Sequence, residues 1–262
     1  MSRIEQIKAE QKKLEEELYV LRGGGNSRSE NEEDFYKLRK NMLGQITSEE
    51  IIETPFVYCK RQLITTALTR IELFKMALET QGAIVECGVH KANSLMLYYH
   101  LSSILEPYNF HRKIIGFDTF EGFPSLSKND DNDLSETLFS DTNYEHIIEW
   151  IKLQDKNRTL NHIEKCELIK GDATLTIPKY VEENKHLIIS LLYLDFDIYE
   201  PTNIALKYLL PLVPKGGVVG FDEVNCKEWK GETVALKENI ILNNIRLKKF
   251  AYDPWVSYYV VD

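Results

Sequence analysis

From residue 83 to residue 221 the sequence alternates short apolar runs with amphipathic stretches, and this alternation limits the possible folds more than any other feature. The runs lie at 83–87, 114–117, 167–170, 187–194 and 217–221. The helical stretches between and after them lie at about 91–105, 144–156, 174–184, 201–210 and 230–241. A strand that is apolar along its whole length is covered on both faces, and a helix between successive strands makes them parallel. A helix is expected before the first run, from residue 61 to Gly82, on the spacing of Leu63, Leu68, Ile71, Phe74, Met76, Ala77 and Leu78. Two more strands are expected at 245–249 and 257–261, with Asp253 and Pro254 turning between them. The expected fold is therefore α/β, a seven-stranded, mostly parallel sheet with helices on both faces and an antiparallel final strand.

Ligands of such sheets bind beyond the carboxyl ends of the strands. The residues at those ends are Glu86, ahead of Cys87 and Gly88, then Asp118, Asp172, Asp195 with Asp197, and Asp222 with Glu223. One acid there could be a helix cap. Acids at all five ends are too many for capping alone, and carboxylates held close together need a cation among them. A nucleoside carrying a cationic amino acid fits, because a carboxylate after the second strand can accept from ribose hydroxyls. A divalent metal also fits, since Asp195, Asp222 and Glu223 offer the hard oxygens that suit Mg²⁺. The loop from Gly88 to Ser94 has a single glycine and lacks the G-x-G-x-x-G pattern of a pyrophosphate site, which disfavours a nicotinamide dinucleotide. The six histidines are scattered, with no zinc-like cluster, and only His90 lies in the glycine loop.

The chain has 262 residues, enough for one large domain and some extra. Its formal net charge of -9 argues against nucleic acid and against an anionic membrane surface as partners. No apolar run approaches the roughly 20 residues of a membrane helix. The N-terminus is charged throughout, unlike a secretory signal. Cys59, Cys87, Cys166 and Cys226 show no paired spacing, so free thiols in a reducing cytoplasm are expected. Residues 1–22 read as a heptad-type helix: Ile4, Ile7, Leu14, Leu18 and Leu21 form a seam with Gln11 at its polar position, which would allow a homodimer contact. Gly23, Gly24 and Gly25 open an expected flexible linker over 23–34, with the main domain at 35–262.

Several linked motifs resemble one family. VECGVHKANSL at 85–95, GFDTFEGFP at 116–124, KGDATLTIP at 170–178, the stretch 194–223, and Trp229, Gly231 and Ala235 in a W-x-G-x-x-x-A pattern are similar to the macrocin O-methyltransferases. The resemblance covers about residues 55–260 and implies a Rossmann-like class I methyltransferase that uses S-adenosyl-L-methionine, with Mg²⁺, to methylate a hydroxyl of a sugar or glycoside. The closing antiparallel pair of strands agrees with that fold. The resemblance implies that Glu86 and Gly88 flank the methionine part of the cofactor, Asp118 binds the ribose and Asp172 lies by the adenine. Ser94, Thr119, Ala173 and Asp195 complete the implied cofactor set, and Asp195, Asp222 and Glu223 are the implied metal ligands. The family usually has a glycine pair where this chain has Ala92 and Asn93. A catechol-type enzyme has a lysine base three residues after its first metal Asp, where this chain has Ile198.

The base expected for the acceptor hydroxyl is then Asp195 or Asp197. The stretch 120–133, with Gly122, Pro124, Asn129, Asp130 and Asp131, reads as a lid over the cofactor, and Tyr199 and Trp229 as aromatics beside the acceptor. Two other readings compete: the same fold acting on a phenol or polyol, and a non-catalytic dimeric scaffold.

Overall fold

The structure, a computed structural model, describes residues 30–131 and 134–262 together with Arg3. The heptad seam, the glycine triplet and the last two residues of the expected lid lie outside the described residues. The chain divides into two compact units, 1–64 and 65–262. The boundary therefore falls later than the expected one at residue 34, and part of the expected linker is helical. Helix α1, Glu30–Leu43, begins inside it. No glycine or proline interrupts residues 30–43, and Lys40 in the last turn suits the helix dipole.

Beyond α1 the described residues of the first unit form short helices. α2, Ser48–Glu53, is capped by Thr47, whose hydroxyl accepts from the Glu50 N–H at 3.1 Å. α3, Pro55–Tyr58, has proline at its first position, where the missing N–H has no helical partner to lose. Arg39 ties this unit together by donating from Nε and Nη2 to the Tyr58 carbonyl at 3.0 and 2.9 Å.

Helix α4, Arg61–Ala77, leads into the second unit and stops short of the expected Gly82. The sheet then follows as β1 Ala83–Cys87, α5 Asn93–Leu105, β2 Ile114–Asp118, α6 Tyr144–Asp155, β3 Cys166–Lys170, α7 Ala173–Glu183, β4 Ile189–Leu194, α8 Tyr199–Tyr208, β5 Val218–Phe221, α9 Lys230–Asn239, β6 Lys248–Lys249 and β7 Ser257–Val260. The strand order is β3-β2-β1-β4-β5-β7-β6. The first five strands are parallel, and β7 runs antiparallel to both β5 and β6. β6 keeps only two of the five expected residues, because only Lys248 and Lys249 find partners, on Tyr258 and Ser257.

Alternation along each strand sorts the core into two layers. Val85, Cys87, Ile115, Phe117, Leu192, Leu194, Val219 and Phe221 pack with α7, α8 and α9 through residues such as Ile177, Leu206 and Leu236. Ile84, Ile114, Leu191, Tyr193 and Val218 pack on the opposite face with α4, α5 and α6 through Leu73, Phe74, Leu95, Tyr98 and Ile151. A fully buried Leu, Ile or Phe contributes roughly 1.5–3 kcal/mol, so the two layers together supply the main stabilising term.

The register aligns the carboxyl ends. Cys87 pairs with Phe117 and with Leu194, Leu194 with Phe221, and Phe117 with Ile169. The chain order reverses between β1 and β4, which opens a crevice there.

Candidate active site

Gly88 makes the crevice possible. It sits at φ +90, and a Cβ there would lie 1.8 Å from the Asp195 carbonyl oxygen. The Asp195 N–H donates to the Cys87 carbonyl at 2.7 Å, so the ends of β1 and β4 touch and their onward loops part above them. The loop after Gly88 is conformationally unusual. His90 and Ala92 are left-handed at φ 46 and φ 62, and Phe120 and Asp197 on facing loops at φ 57 and φ 64. Strained backbone of this kind gathers at functional sites. Asp118 holds the glycine loop in place, accepting from the Val89 and His90 N–H groups at 2.7 and 2.8 Å and from Phe120 N–H at 2.5 Å.

One continuous cleft is lined by Glu86, Gly88, Ser94, Asp118, Thr119, Ala173, Asp195, Asp197 and Glu223. Of the expected cofactor, metal and base residues, Asp172 and Asp222 do not line it. Asp172 is the N-cap of α7, accepting from the backbone N–H and the hydroxyl of Thr174 at 2.9 and 2.7 Å. Asp222 lies one layer back. It accepts from Arg70 Nη2 at 3.1 Å and from the Tyr193 hydroxyl.

Glu86 is 1% exposed, and its Oε2 has no hydrogen-bond partner. Burial pushes its carboxyl up to about 8, only partly offset by Arg70. Asp195, Asp197 and Glu223 each offer a carboxylate oxygen, and these oxygens lie within 4.8 Å of one another. Burial raises Asp197 to about 7; a hydrogen bond with Glu223 pulls it down, while the charges of Asp222 and Asp118 add to the rise. Asp195 is raised by burial and then by Asp222 and Asp197, and Glu223 by burial and then by Asp197. The Glu223 Oε2 is buried and unpartnered. Three hard oxygen donors that repel one another fit a divalent cation. The buried Glu86, with its Oε2 unpartnered, fits an ammonium group.

The wall opposite is aromatic. Phe123 and Phe139 line the cleft, and Trp229 packs against both with ring centroids 6.5 and 6.3 Å away. Tyr199, expected beside the acceptor, instead donates its hydroxyl to Glu238 at 2.5 Å on the exposed side of α9. Asp130, expected in the lid, is 1% exposed and anchors it, accepting from the N–H and hydroxyl of Ser127, each at 2.8 Å, and from the Tyr199 N–H at 2.7 Å.

Three residues of this site escaped the sequence reading. Arg70 is 3% exposed, reaches Asp195 at 3.5 Å as well as Asp222, and lies 3.7 Å over the Tyr193 ring. Its signal is an arginine in helical register with Leu73, Phe74 and Ala77, on an apolar face where a charge needs a partner. Tyr193 reads as a core aromatic until its hydroxyl is placed. Glu232, 0% exposed, sits in a polar stretch that reads as surface.

The sequence profile of the macrocin-O-methyltransferase (TylF) family matches residues 67–247. A comparison with curated protein sequences returns no match. Among solved structures, the calicheamicin methyltransferase CalS11 superposes with a TM-score of 0.83 at 29% identity, covering 89% of this chain and 93% of its own. An apo structure of CalS11, described as a TDP-rhamnose 3'-O-methyltransferase, gives 0.76 at 27% identity, covering 89% and 95%. The O-methyltransferase NovP shares the fold, with a TM-score of 0.57 at 19% identity over 74% of this chain and 78% of its own. The chain, with an acid-rimmed cleft at the reversal of a class I methyltransferase sheet, belongs to the macrocin-O-methyltransferase family and is an S-adenosylmethionine-dependent O-methyltransferase.

Proposed function

We propose that the chain transfers the methyl group to a hydroxyl of a sugar, free on a nucleotide or within a glycoside, with help from a divalent cation. The observation that carries this reading is a single cleft lined at once by Glu86 and by Asp195, Asp197 and Glu223. The CalS11 likeness supports the sugar, since that neighbour is described as acting on TDP-rhamnose.

S-adenosylmethionine, when bound, supplies an electrophilic methyl on a sulfonium. Glu86 would receive its ammonium group, with Gly88 and Ser94 alongside. Asp118, with Thr119, would serve the ribose on the oxygen capacity its backbone bonds leave over, and Ala173, behind the Asp172 cap, would border the adenine. Mg²⁺ would be held by Asp195, Asp197 and Glu223 and would supply Lewis acidity toward an acceptor oxygen. Asp222, whose sequence position suggested a ligand, would act from behind through Arg70.

Asp197 takes the hydroxyl proton in this scheme. Burial raises its carboxyl to about 7 in the absence of metal, and a bound cation would favour the charged form, leaving it able to accept the proton at neutral pH. The aromatic wall of Phe123, Phe139 and Trp229 excludes water and offers a flat apolar face to a sugar ring. The proposal extends to a cytoplasmic homodimer joined through the heptad seam of residues 3–22, tested by sedimentation of the chain with and without that segment. Among the described residues no helix is long and apolar enough to cross a membrane.

The test of function is a mass-spectrometric screen of nucleotide sugars and glycosides with S-adenosylmethionine. A product gaining one methyl group on a sugar hydroxyl is expected. Methylation confined to phenols or simple polyols would refute the sugar acceptor, and absence of calorimetric heat with S-adenosylmethionine would refute the enzyme.

A further inference from the structure

The two loops that supply the metal-side acids are separate in sequence. Asp197 comes from the turn before α8, and Glu223 from the turn after β5. One step of α9 touches both. A Cβ on Gly231 would lie 2.4 Å from Asp130 Oδ1 and 2.6 Å from the Tyr199 nitrogen, so only glycine lets α9 press against the first residue of α8. Tyr199 is two residues beyond Asp197, and Asp130 accepts from the same Tyr199 N–H. The next residue, Glu232, turns to the other loop. Its Oε1 accepts from the Glu223 backbone N–H at 3.0 Å. The Glu232 side chain is 0% exposed and its Oε2 has no partner.

We propose that the Gly231–Glu232 step is the positioning element of the metal side of the cleft, setting the distance between the Asp197 and Glu223 carboxylates. The inference rests on the reading of Asp195, Asp197 and Glu223 as cation ligands. Gly231 fixes where the start of α8, and with it the left-handed turn at Asp197, sits against α9. Glu232 fixes the peptide from which the Glu223 arm extends. Neither residue touches the cleft, so both act through the acids and not on substrate. Glutamate reaches farther than aspartate, and a longer arm needs its base held more firmly to aim at one point.

The experiment measures Mn²⁺ binding by electron paramagnetic resonance, and S-adenosylmethionine binding by calorimetry, on the full chain. Wild type is compared with Glu232→Met, Glu232→Gln and Gly231→Ala. Methionine fills the space without accepting the Glu223 N–H, and Mn²⁺ binding should weaken roughly 10–100-fold, the usual effect of losing a group that orients a metal ligand. The amide oxygen of glutamine still accepts, so Glu232→Gln should bind Mn²⁺ like wild type. Gly231→Ala pushes the two loops apart and should weaken Mn²⁺ by a route that does not involve Glu232. Measured without metal, affinity for S-adenosylmethionine should hold in all three, since Glu86 and Gly88 are untouched. Wild-type Mn²⁺ affinity in a folded Glu232→Met or in Gly231→Ala would overturn the inference, as would a glutamine variant as weak as the methionine one. If wild type itself binds no Mn²⁺, the cation reading falls and this inference with it. If wild type binds and the variants bind equally well, only the positioning role falls.

Discussion

Replacing Glu86 with Gln should stabilise the ligand-free protein and weaken its hold on S-adenosylmethionine, two effects of opposite sign from one atom change. Burial lifts the Glu86 carboxyl from 4.5 to about 8. At neutral pH the unfolded chain carries this group ionised and the folded chain carries it protonated, so folding takes up a proton. The folded value is the raised one, and stability is therefore fully present below 4.5 and falls as pH climbs toward 8. At about 1.4 kcal/mol per pH unit, the loss reaches about 3 kcal/mol at pH 7 and about 1 kcal/mol at pH 5. Glutamine takes up no proton and avoids the loss. The stability advantage of the variant should grow by about 2 kcal/mol between pH 5 and pH 7 and level off above pH 8. Cofactor binding runs the other way. An ammonium needs the ionised carboxylate, and losing a charge-assisted hydrogen bond is worth roughly 1.5–3 kcal/mol, or about 10–100-fold in affinity. Urea unfolding followed by circular dichroism at both pH values gives the first quantity, and calorimetry with S-adenosylmethionine the second. A stability difference that ignores pH would show that Glu86 is not a buried acid awaiting a cation, and unchanged cofactor affinity would remove it from the methionine site.

Asp195→Ala should abolish transfer while circular dichroism shows the fold unchanged; normal turnover would remove this residue from the reaction. EDTA should inhibit wild type and Mg²⁺ restore it, and activity indifferent to EDTA would leave the three acids as hydrogen-bonding groups only. With the cation subsaturating, turnover should rise with pH through about 7 as Asp197 ionises, and saturating Mg²⁺ should move that limb to lower pH by favouring the charged form. Asp197→Asn should lower turnover sharply even at saturating Mg²⁺, and wild-type turnover there would assign the base elsewhere. Gly220→Ala places a Cβ 2.7 Å from the Tyr193 ring over which Arg70 lies. The overpacking should cost about 1–3 kcal/mol, read as a lowered Tm.

The sheet was legible because its strands are buried on both faces. Continuous apolar runs such as 83–87 and 187–194 need no partner information to be recognised, and the helices between them decide that the strands are parallel. Edges were less legible. At 245–249 the apolar pattern is weak, and how much of it joins the sheet depends on which residues β7 can reach, a tertiary matter. The start of α1 was masked by composition: residues 30–34 are polar, as a linker would be, and helix propensity alone does not separate the two. Ala92 was noticed for its place in the motif, but only the backbone explains why glycine suits that position. It sits left-handed at φ 62 as the residue before α5.

The acids at the strand ends look alike in sequence, yet their hydrogen bonds sort them into distinct physical kinds. Asp172 is engaged as a helix cap, Asp118 as the clasp of the glycine loop, and Asp222 as the partner of Arg70 and Tyr193. Each has donors of its own within the protein. Glu86, Asp195, Asp197 and Glu223 lack enough donors, and all four are raised by burial. Arg70 reaches Asp195 and Asp222 and offsets the rise at Glu86 only in part. The cleft therefore stays electrostatically unsatisfied until positive charge enters it. A cofactor that is itself cationic and a divalent metal both draw on that negative field, so each should bind more weakly when the other is present. This coupling distinguishes a working methyl-transfer site from a set of acids kept only for folding. If S-adenosylmethionine and Mn²⁺ bind with wholly independent affinities, Glu86 and the three metal-side acids do not share one charge deficit.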